Sequence, residues 1–290
     1  MKAKRFMENA IHGFFLLMGL VTVGCVLLIS VYLVVSGIPA IREIGLVKFL
    51  FGPVWNSNAA EAQFGILPFI LTSIYGTAGA ILLGVPVGYM TAVFLAKMAP
   101  PKLKTAVSAA VSLLAGIPSV VYGLVGMMVL LPAIRKTFDI AAGDSLLAAI
   151  IVLAVMILPS IISVSETALN AVPREYEEAS LALGATELET YFRVSVPAAK
   201  SGIAAAVVLG VGRAIGEAMA IILVAGNVSN MPGLFTPVRF LTTGIISGMA
   251  YASVGSLYQQ ALYSIGLVLF LFIMLINVFL NVCVKNRKEG

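Results

Sequence analysis

The sequence predicts an all-α fold, a bundle of about six transmembrane helices within a single domain over residues 1–290. Of these residues, 60% are hydrophobic and only 11% are charged, whereas a soluble domain carries about 25% charged residues. So few charges cannot cover the water-facing surface of a soluble protein of this length. The apolar runs also lack the alternation of membrane-spanning strands, and in lipid only a helix bonds all its backbone groups within one segment.

Six apolar segments are candidates for the spans, because each is close to the ~20 residues that cross ~30 Å of hydrocarbon. They run over Ile11–Ser36, Leu67–Ala96, Thr105–Leu131, Leu146–Ser165, Gly202–Gly226 and Ala261–Val284. We expect the core at about 67–284, an N-terminal helix at 11–36 and a cytoplasmic link at about 167–201. The first apolar run of about 25 residues exceeds the ~7–15 of a secretory signal core. We therefore interpret it as a retained helix, with cleavage near Ser36 as the alternative.

Glycine and proline inside the spans indicate a closely packed bundle with bent helices. Small residues four positions apart let helices approach closely, and the sequence has three such pairs: Gly84/Gly88, Gly212/Gly216 and Gly244/Gly248. Proline kinks or interrupts a membrane helix, and four prolines lie within or at the ends of spans: Pro86, Pro118, Pro132 and Pro159. Such a bundle is more typical of a transporter than of a simple anchor.

The basic residues predict the orientation of the bundle. The net charge of +5 does not indicate a nucleic-acid protein, because Lys and Arg lie in short clusters between the apolar runs. Twelve of the eighteen fall at the two termini and in the links near 97–104 and 167–201, and five fall in the other links. Cytoplasmic loops carry the excess of Lys and Arg, so both termini are predicted to be cytoplasmic. Cys25 and Cys283 are interpreted as free thiols, and the single histidine, His12, leaves no His-rich metal site.

Two long links on the outer side, roughly 37–66 and 227–260, are rich in aromatic residues. For most of these aromatic side chains we favour anchoring at the membrane interface. Links of this length could also cover the outer mouth of a pathway or provide a docking surface. The aromatic residues concerned are Phe49, Phe51, Trp55, Phe64, Phe235, Phe240, Tyr251 and Tyr258.

The link between the fourth and fifth spans has the most specific pattern. It predicts a short helix from about Arg174, a break at Gly184 and a second short helix that ends before Pro197. Glu178-Ala179-Ser180, followed by Gly184 and, after a further stretch, by Val194 and Pro197, resembles the EAA loop of ABC-importer permeases of the MetI-like type. The family pattern has alanine where Ser180 stands, a mild departure. The resemblance implies that this loop docks on an ATPase subunit through Glu178, Ala179, Ser180, Gly184 and Pro197.

Arg213 and Glu217 are predicted to lie near the middle of the fifth span. A charged residue at the bilayer centre costs about 2.5–3.5 kcal/mol on insertion scales, so such residues pair or face a cavity. Their i,i+4 spacing would place both on one helix face. One interpretation is a structural ion pair. The other is a substrate pathway in which the planar guanidinium of Arg213 binds a tetrahedral oxyanion and Glu217 weakens the hold so that the cargo can leave.

Two further stretches narrow the resemblance to phosphate-specific ABC permeases. They are Gly116-Ile-Pro-Ser-Val-Val-Tyr-Gly123 and Ala214-Ile-Gly-Glu217, and the region from Phe49 to Phe69 is similar to the PstC type. The resemblance implies location in the bacterial cytoplasmic membrane and a heterodimer with a PstA-type permease. It also implies two PstB-type ATPases that bind ATP and Mg²⁺, and a PstS-type phosphate-binding protein.

The chain itself is not predicted to be an enzyme or to hold a cofactor. It has no G-x-x-x-x-G-K-[ST] loop for nucleotide phosphates, and the glycines at 210, 212 and 216 do not fit the dinucleotide pattern. A permease for sulfate or molybdate is the alternative within the class. A secondary transporter or channel would leave the EAA-like loop unexplained.

Overall fold

The computed structural model describes residues 2–57 and 61–286, and it is helical almost throughout. The only sheet in this part of the chain is a two-stranded antiparallel pair, β1 (Trp55–Asn56) and β2 (Gln63–Phe64). Short π-helical turns occupy Phe94–Met98, Gly126–Leu130 and Tyr191–Ser195. The α-helices are α1 (Lys2–Ile44), α2 (Leu46–Phe51), α3 (Leu67–Val93), α4 (Pro101–Gly116), α5 (Ser119–Val125), α6 (Leu131–Phe138), α7 (Leu146–Asn170), α8 (Arg174–Ala182), α9 (Glu187–Thr190), α10 (Val196–Ala198), α11 (Lys200–Gly216), α12 (Met219–Ile222), α13 (Leu241–Met249) and α14 (Leu257–Asn286).

The predicted number of spans is confirmed in the described part of the chain. Five helical stretches are long and apolar enough to cross a membrane, and a sixth is a pair of helices, Glu187–Ala198 and Lys200–Gly216, that meet at a bend of 70°. The five are Ile11–Ile44, Leu67–Met98, Ser119–Phe138, Leu146–Asn170 and Leu257–Val278. The first, second, fourth and sixth predicted segments each overlap one of these, and their bounds differ from the predicted ones by up to eight residues.

The third and fifth predicted segments are not continuous helices, so their prediction as single spans is wrong, whereas the predicted interruption by proline is confirmed at Pro118. The third breaks between Gly116 and Ser119, because Pro118 holds the preceding Ile117 in an extended conformation. The fifth breaks after Gly216, where Glu217 has φ −72° and ψ 137°. Pro86 and Pro159, by contrast, lie inside α3 and α7 without ending them.

Helix α7 forms the centre of the main hydrophobic core. Residues of α3, α5, α11 and α12 pack around it, and its side chains are buried along most of its length. Glycines on α3 allow the closest of these approaches. A Cβ on Gly84 would lie 2.7 Å from Cδ1 of Ile157, and a Cβ on Gly88 would lie 2.9 Å from Cγ2 of Ile161. The predicted close packing through Gly84 and Gly88 is therefore confirmed.

The other glycine pairs behave differently. Gly248 packs against Leu262, whereas nothing within the chain lies within 4 Å of a Cβ built on Gly212 or Gly216. The expectation of close packing at Gly212/Gly216 is therefore wrong for contacts within this chain. One face of α11 is open instead, with Ala205, Leu209 and Gly216 exposed along it.

We expect Gly84→Val to destabilise the bundle by about 1–3 kcal/mol, the usual cost of overpacking a tight interior. The new side chain would collide with Ile157 and would also approach the backbone carbonyl oxygen of Ala154, 3.1 Å from the Cβ. The measurement is the thermal denaturation midpoint of the purified protein in detergent. Gly19→Ala in α1 is the control, because nothing lies within 4 Å of its Cβ. An unchanged midpoint for Gly84→Val would contradict the described α3–α7 packing.

Several aromatic residues of the outer links are core residues, so the prediction that most of them anchor at the interface is wrong in part. Phe49, Phe64 and Phe240 are buried, and Trp55 packs edge-on against Phe64 at a centroid distance of 5.3 Å. Phe49, Trp55 and Phe64 join residues from α1, α3, α13 and α14 in a second hydrophobic cluster, whereas Phe240 belongs to the main core around α7. Phe51, Phe235 and Tyr251 remain exposed. The outer links therefore fold onto the bundle as structured elements.

Candidate functional site

The link between the fourth and fifth predicted spans folds into two short helices joined by a tight turn. Helix α8 ends at Ala182, and Gly184 then takes φ +87°, which an L side chain rarely adopts. Thr186 caps α9: its hydroxyl accepts from the N–H of Glu189, and the Glu189 carboxylate accepts from the N–H of Thr186. The predicted break at Gly184 is confirmed. The second helix does not end before Pro197, however, because the π turn Tyr191–Ser195 carries it into α10, which includes Pro197.

Three hydrogen bonds hold the two short helices to each other and to the second span. The Nζ atom of Lys97 lies 2.5 Å from Oε1 of Glu177, and the hydroxyl of Ser195 donates to the same oxygen at 2.7 Å. The hydroxyls of Ser180 and Thr190 are 2.8 Å apart. Burial alone would raise the pKa of Glu177, but the hydrogen bonds from Lys97 and Ser195 outweigh it and hold the pKa below its ordinary value.

The residues predicted to meet an ATPase divide into an exposed set and an anchoring one. Glu178, Ala179 and Gly184 are exposed, as is Pro197, whereas Ser180 is half-buried through its bond to Thr190. Apolar side chains beside them also face outward; Leu183 is 90% exposed and Leu188 53% exposed. We call the exposed set Glu178, Ala179, Leu183, Gly184 and Leu188 the coupling surface. It exposes apolar residues, as protein interaction sites do.

We expect Lys97→Met to weaken the link between the coupling surface and the bundle. A hydrogen bond to a charged group contributes about 1.5–3 kcal/mol, and each 1.4 kcal/mol corresponds to a factor of ten. In a reconstituted transporter, ATP hydrolysis stimulated by the binding protein should fall about tenfold while the assembly stays intact. Lys102→Met is the matched control, because Lys102 lies in the same basic cluster and is exposed. Equal activities of the two variants would exclude a role for the Lys97–Glu177 ion pair.

Arg213 and Glu217 lie at the break of the fifth span, and the structure does not join them in an ion pair. Arg213 is in the last turn of α11, about 20 Å along the helix from Lys200 at ~1.5 Å per residue. Its Nη1 atom makes a long contact of 3.5 Å with the hydroxyl of Ser160 in α7. Glu217 instead accepts from the N–H of Ala220 at 3.0 Å, and its carbonyl accepts from the hydroxyl of Thr242 at 2.7 Å. The expected pairing of the two side chains on one helix face is wrong, because the helix ends at Gly216.

The two stretches that resemble phosphate-specific permeases, at 116–123 and 214–217, come together at this break. A Cβ on Gly123 would lie 2.8 Å from the Cα of Ala220, so α5 and α12 touch backbone to backbone. Tyr122 also packs against the hydrophobic cluster that contains Ala214. Arg213 is half-buried, and the described residues provide no carboxylate partner for it. The arrangement can therefore attract an anion at the point where the fifth span opens.

Sequence reasoning missed Lys97, Ser195, Ser160 and Thr242 as members of these sites. Lys97 was counted only as one of the basic residues that indicate orientation, and the other three are ordinary polar residues with no motif of their own. Their partners are 18 to 80 positions away along the chain. Among the described residues, no group of three or more His, Cys, Asp or Glu side chains could hold a metal ion.

The chain is similar to known proteins over most of its length. Residues 84–287 match the family described as binding-protein-dependent transport system inner membrane component. A probable ABC transporter permease, YqgH of Bacillus subtilis, is 40% identical over 265 residues, which are 89% of this chain and 86% of that protein. The phosphate transport system permease PstC of Mesorhizobium japonicum is 35% identical, with 79% and 75% covered, and PstC of Haemophilus influenzae is 32% identical, with 90% and 88% covered.

Solved structures show the same fold at lower identity. A bacterial alginate ABC transporter chain superposes with a TM-score of 0.67 at 17% identity, covering 98% of both chains. A chain of the MetNI methionine ABC transporter in an inward-facing conformation gives 0.59 at 22% identity, covering 76% of this chain and 96% of that one. The family match, the spans and this fold agree. The chain belongs to the family of inner membrane components of binding-protein-dependent transport systems, the ABC-importer permeases.

Proposed function

We propose that this chain is the membrane-spanning permease subunit of an ATP-driven importer that moves inorganic phosphate across the bacterial cytoplasmic membrane. The similarity to two permeases named for phosphate transport, 32–35% identical over 79–90% of this chain, is the observation that carries the substrate. The charged break supports it chemically, because a planar guanidinium suits a tetrahedral oxyanion and Arg213 has no carboxylate partner among the described residues.

The proposed transporter has four kinds of subunit. A homologous PstA-type permease forms the second half of the membrane pathway, and the open face of α11 at Ala205, Leu209 and Gly216 is where we expect it or the pathway itself. Two PstB-type ATPases bind the coupling surface, and they bind ATP and Mg²⁺. A PstS-type binding protein delivers phosphate on the outer side. This chain hydrolyses no ATP, and both its termini are cytoplasmic.

The proposed cycle assigns separate tasks to the two sites. ATP binding closes the ATPases and moves the coupling surface, and the Lys97–Glu177 ion pair passes that movement to α3. The pathway then opens outward and accepts the anion, which interacts with Arg213. Hydrolysis returns the pathway to the inward-open state. A binding site that must release its cargo holds it weakly. A single guanidinium is consistent with this requirement, because several donors around the anion would bind it more tightly.

The test is uptake by proteoliposomes that contain the four kinds of subunit. We expect ATP-dependent uptake of phosphate in preference to sulfate, and no turnover by this chain without the ATPases. Preferred uptake of sulfate or molybdate would keep the permease function and replace the substrate. Uptake without any ATPase, driven by an ion gradient, would indicate a secondary transporter and contradict the proposal.

Co-purification of the ATPase should be lost when the coupling surface is altered by Ala179→Glu.

A further inference from the structure

A polar cavity of about 550 Å³ opens between the two outer links, away from both sites described above. Residues of the first link, among them Trp55 and Ser57, form one wall, and residues of the second, among them Ser229 and Tyr258, form another. Arg239 is the one charged residue among those that line it. A different cavity, lined by residues of α6, has a carboxylate, Asp139, beside Arg135 and Lys136, whereas no carboxylate of the described chain lines the cavity at Arg239. The cavity at Arg239 is therefore electropositive.

The Arg239 side chain is held in one orientation by a single residue. Its Nε atom donates to the carbonyl oxygen and to Oδ1 of Asn227 at 2.9 and 3.0 Å, and its Nη2 atom donates to the same carbonyl at 2.6 Å. One face of the guanidinium lies over the ring of Phe69, at 5.8 Å from the centroid. A guanidinium has five N–H donors, and the Nη1 pair has no partner among the described residues. Asn227 therefore fixes the Nε and Nη2 side of the guanidinium, and the Nη1 side is available to a ligand.

The charge of Arg239 has no acidic partner among residues 2–57 and 61–286. The two ion pairs of the described chain are Lys97–Glu177 and Lys104–Glu166, both elsewhere. Burial lowers the pKa of Arg239 from its ordinary value, although arginine stays protonated in proteins. A half-buried cation without a carboxylate gains most from an anion that enters its cavity. Anchoring of the link at Asn227 alone would explain only the Nε side of the guanidinium.

Arg239 is also connected to the charged break of the fifth span. Thr242, three residues further along the chain, donates to the carbonyl oxygen of Glu217 at 2.7 Å. Leu241 donates its N–H to the hydroxyl of Ser73 in α3. The start of α13 therefore joins the outer cavity to the break that positions Arg213. An anion held at Arg239 lies on the outer side of that junction.

We propose that the cavity is an outer binding site for a free tetrahedral oxyanion, held by the unpaired edge of Arg239 and the surrounding serine hydroxyls before it reaches Arg213. The identity of the anion as phosphate rests on the function proposed above, whereas the site requires only an oxyanion. An anionic lipid headgroup has similar chemistry and is an alternative source of the phosphate group. The three serines and the single cation among the lining residues favour a small hydrated anion over a lipid, whose chains need an apolar path.

The test is equilibrium binding of radiolabelled phosphate and sulfate to the assembled transporter in nanodiscs of zwitterionic lipid, without nucleotide or binding protein. Arg239→Gln should weaken binding at the outer site at least tenfold. Arg239→Lys keeps the charge but not the fork, and we expect it to assemble normally and to bind about five- to tenfold more weakly than wild type. Arg135→Gln, an exposed arginine on the same side, is the control and should bind as wild type does.

The outcomes separate this site from the proposed substrate. Wild-type affinity in both Arg239 variants would overturn the proposal; if Arg239→Gln does not assemble, Arg239→Lys decides alone. A third outcome is that the wild-type transporter imports sulfate and not phosphate, and that the Arg239 variants bind sulfate more weakly than wild type. This outcome would support the site and refute the proposed substrate. Binding of neither free anion to the wild type, together with retention of anionic lipid that depends on Arg239, would assign the cavity to a headgroup and overturn the proposal.

Discussion

Replacement of Arg213 by glutamine is expected to lower ATP-driven phosphate uptake about 100-fold. Glutamine keeps a polar side chain of moderate length but removes the charge and the paired donors. Two hydrogen bonds to a charged group contribute about 1.5–3 kcal/mol each, and even the lower end, about 3 kcal/mol for the pair, corresponds to a factor of about 100 at about 1.4 kcal/mol per factor of ten. Because Arg213 has no carboxylate partner in the described structure, its loss leaves no buried acid behind. The assembly should therefore remain intact while transport stops.

A structural role for Arg213 makes a different prediction. Arg213 lies in the last turn of α11, where a positive charge also stabilises the partial negative charge of the helix end. Arg213→Lys retains that stabilisation but lacks the planar fork. We expect Arg213→Lys to denature at the wild-type temperature and to transport phosphate poorly. Wild-type uptake by Arg213→Lys would refute recognition by the fork, and wild-type uptake by Arg213→Gln would refute any pathway role.

Glu217 provides a comparison at the same break. Its carboxylate accepts from the N–H of Ala220, so we interpret Glu217 as a cap on α12 and not primarily as a residue that affects anion binding. Glutamine retains an oxygen acceptor and alanine does not. If Glu217→Gln lowers the denaturation temperature less than Glu217→Ala does, the cap accounts for the residue. This comparison distinguishes positioning by Glu217 from the weakening of anion binding that its charge would cause.

The positions of the spans follow from the sequence because lipid requires long apolar helices, and long apolar runs are visible without tertiary information. The breaks within the third and fifth segments depend on tertiary contacts as well as on the local sequence. Pro118 is a local signal for an interruption, but Pro86 and Pro159 lie inside helices without ending them, and the segment around Pro118 is apolar enough to pass for one span. The break at Glu217 has only Gly216 as a local signal. It is stabilised by Thr242, 25 positions away, which no periodicity indicates.

The structure of the link from α8 to α10 could be predicted more fully than the structure of the break at Gly216, for a physical reason. Its turn depends on one glycine, its helices are short and largely exposed, and α9 is capped by the neighbouring residues Thr186 and Glu189. Local chemistry decides such a segment. At the break, by contrast, the i,i+4 rule assumes a continuous helix, and the helix ends between Arg213 and Glu217. The attachment of the link through Lys97 and Glu177 was likewise missed, because the two residues are 80 positions apart.

Gly184→Val is expected to abolish coupling while it leaves the membrane bundle folded. Gly184 has φ +87°, which for a β-branched residue costs of the order of 1–3 kcal/mol. Nothing lies within 4 Å of its Cβ, so the strain is relieved by a change in the turn rather than by repacking. That change shifts Leu183 and Glu178 relative to α9, and an ATPase groove that fits the original angle loses its contacts. We expect ATPase co-purification and phosphate uptake to fall at least tenfold.

The matched control is Gly255→Val on the outer side. Gly255 has φ +76°, is exposed and likewise has nothing within 4 Å of its Cβ. The two variants therefore carry the same backbone strain, but only position 184 belongs to the coupling surface. If strain alone reduced activity, both would lose uptake to the same extent and both would keep the ATPase. Loss of the ATPase with Gly184→Val but not with Gly255→Val would show that the angle of this turn transmits the work of ATP hydrolysis to the membrane.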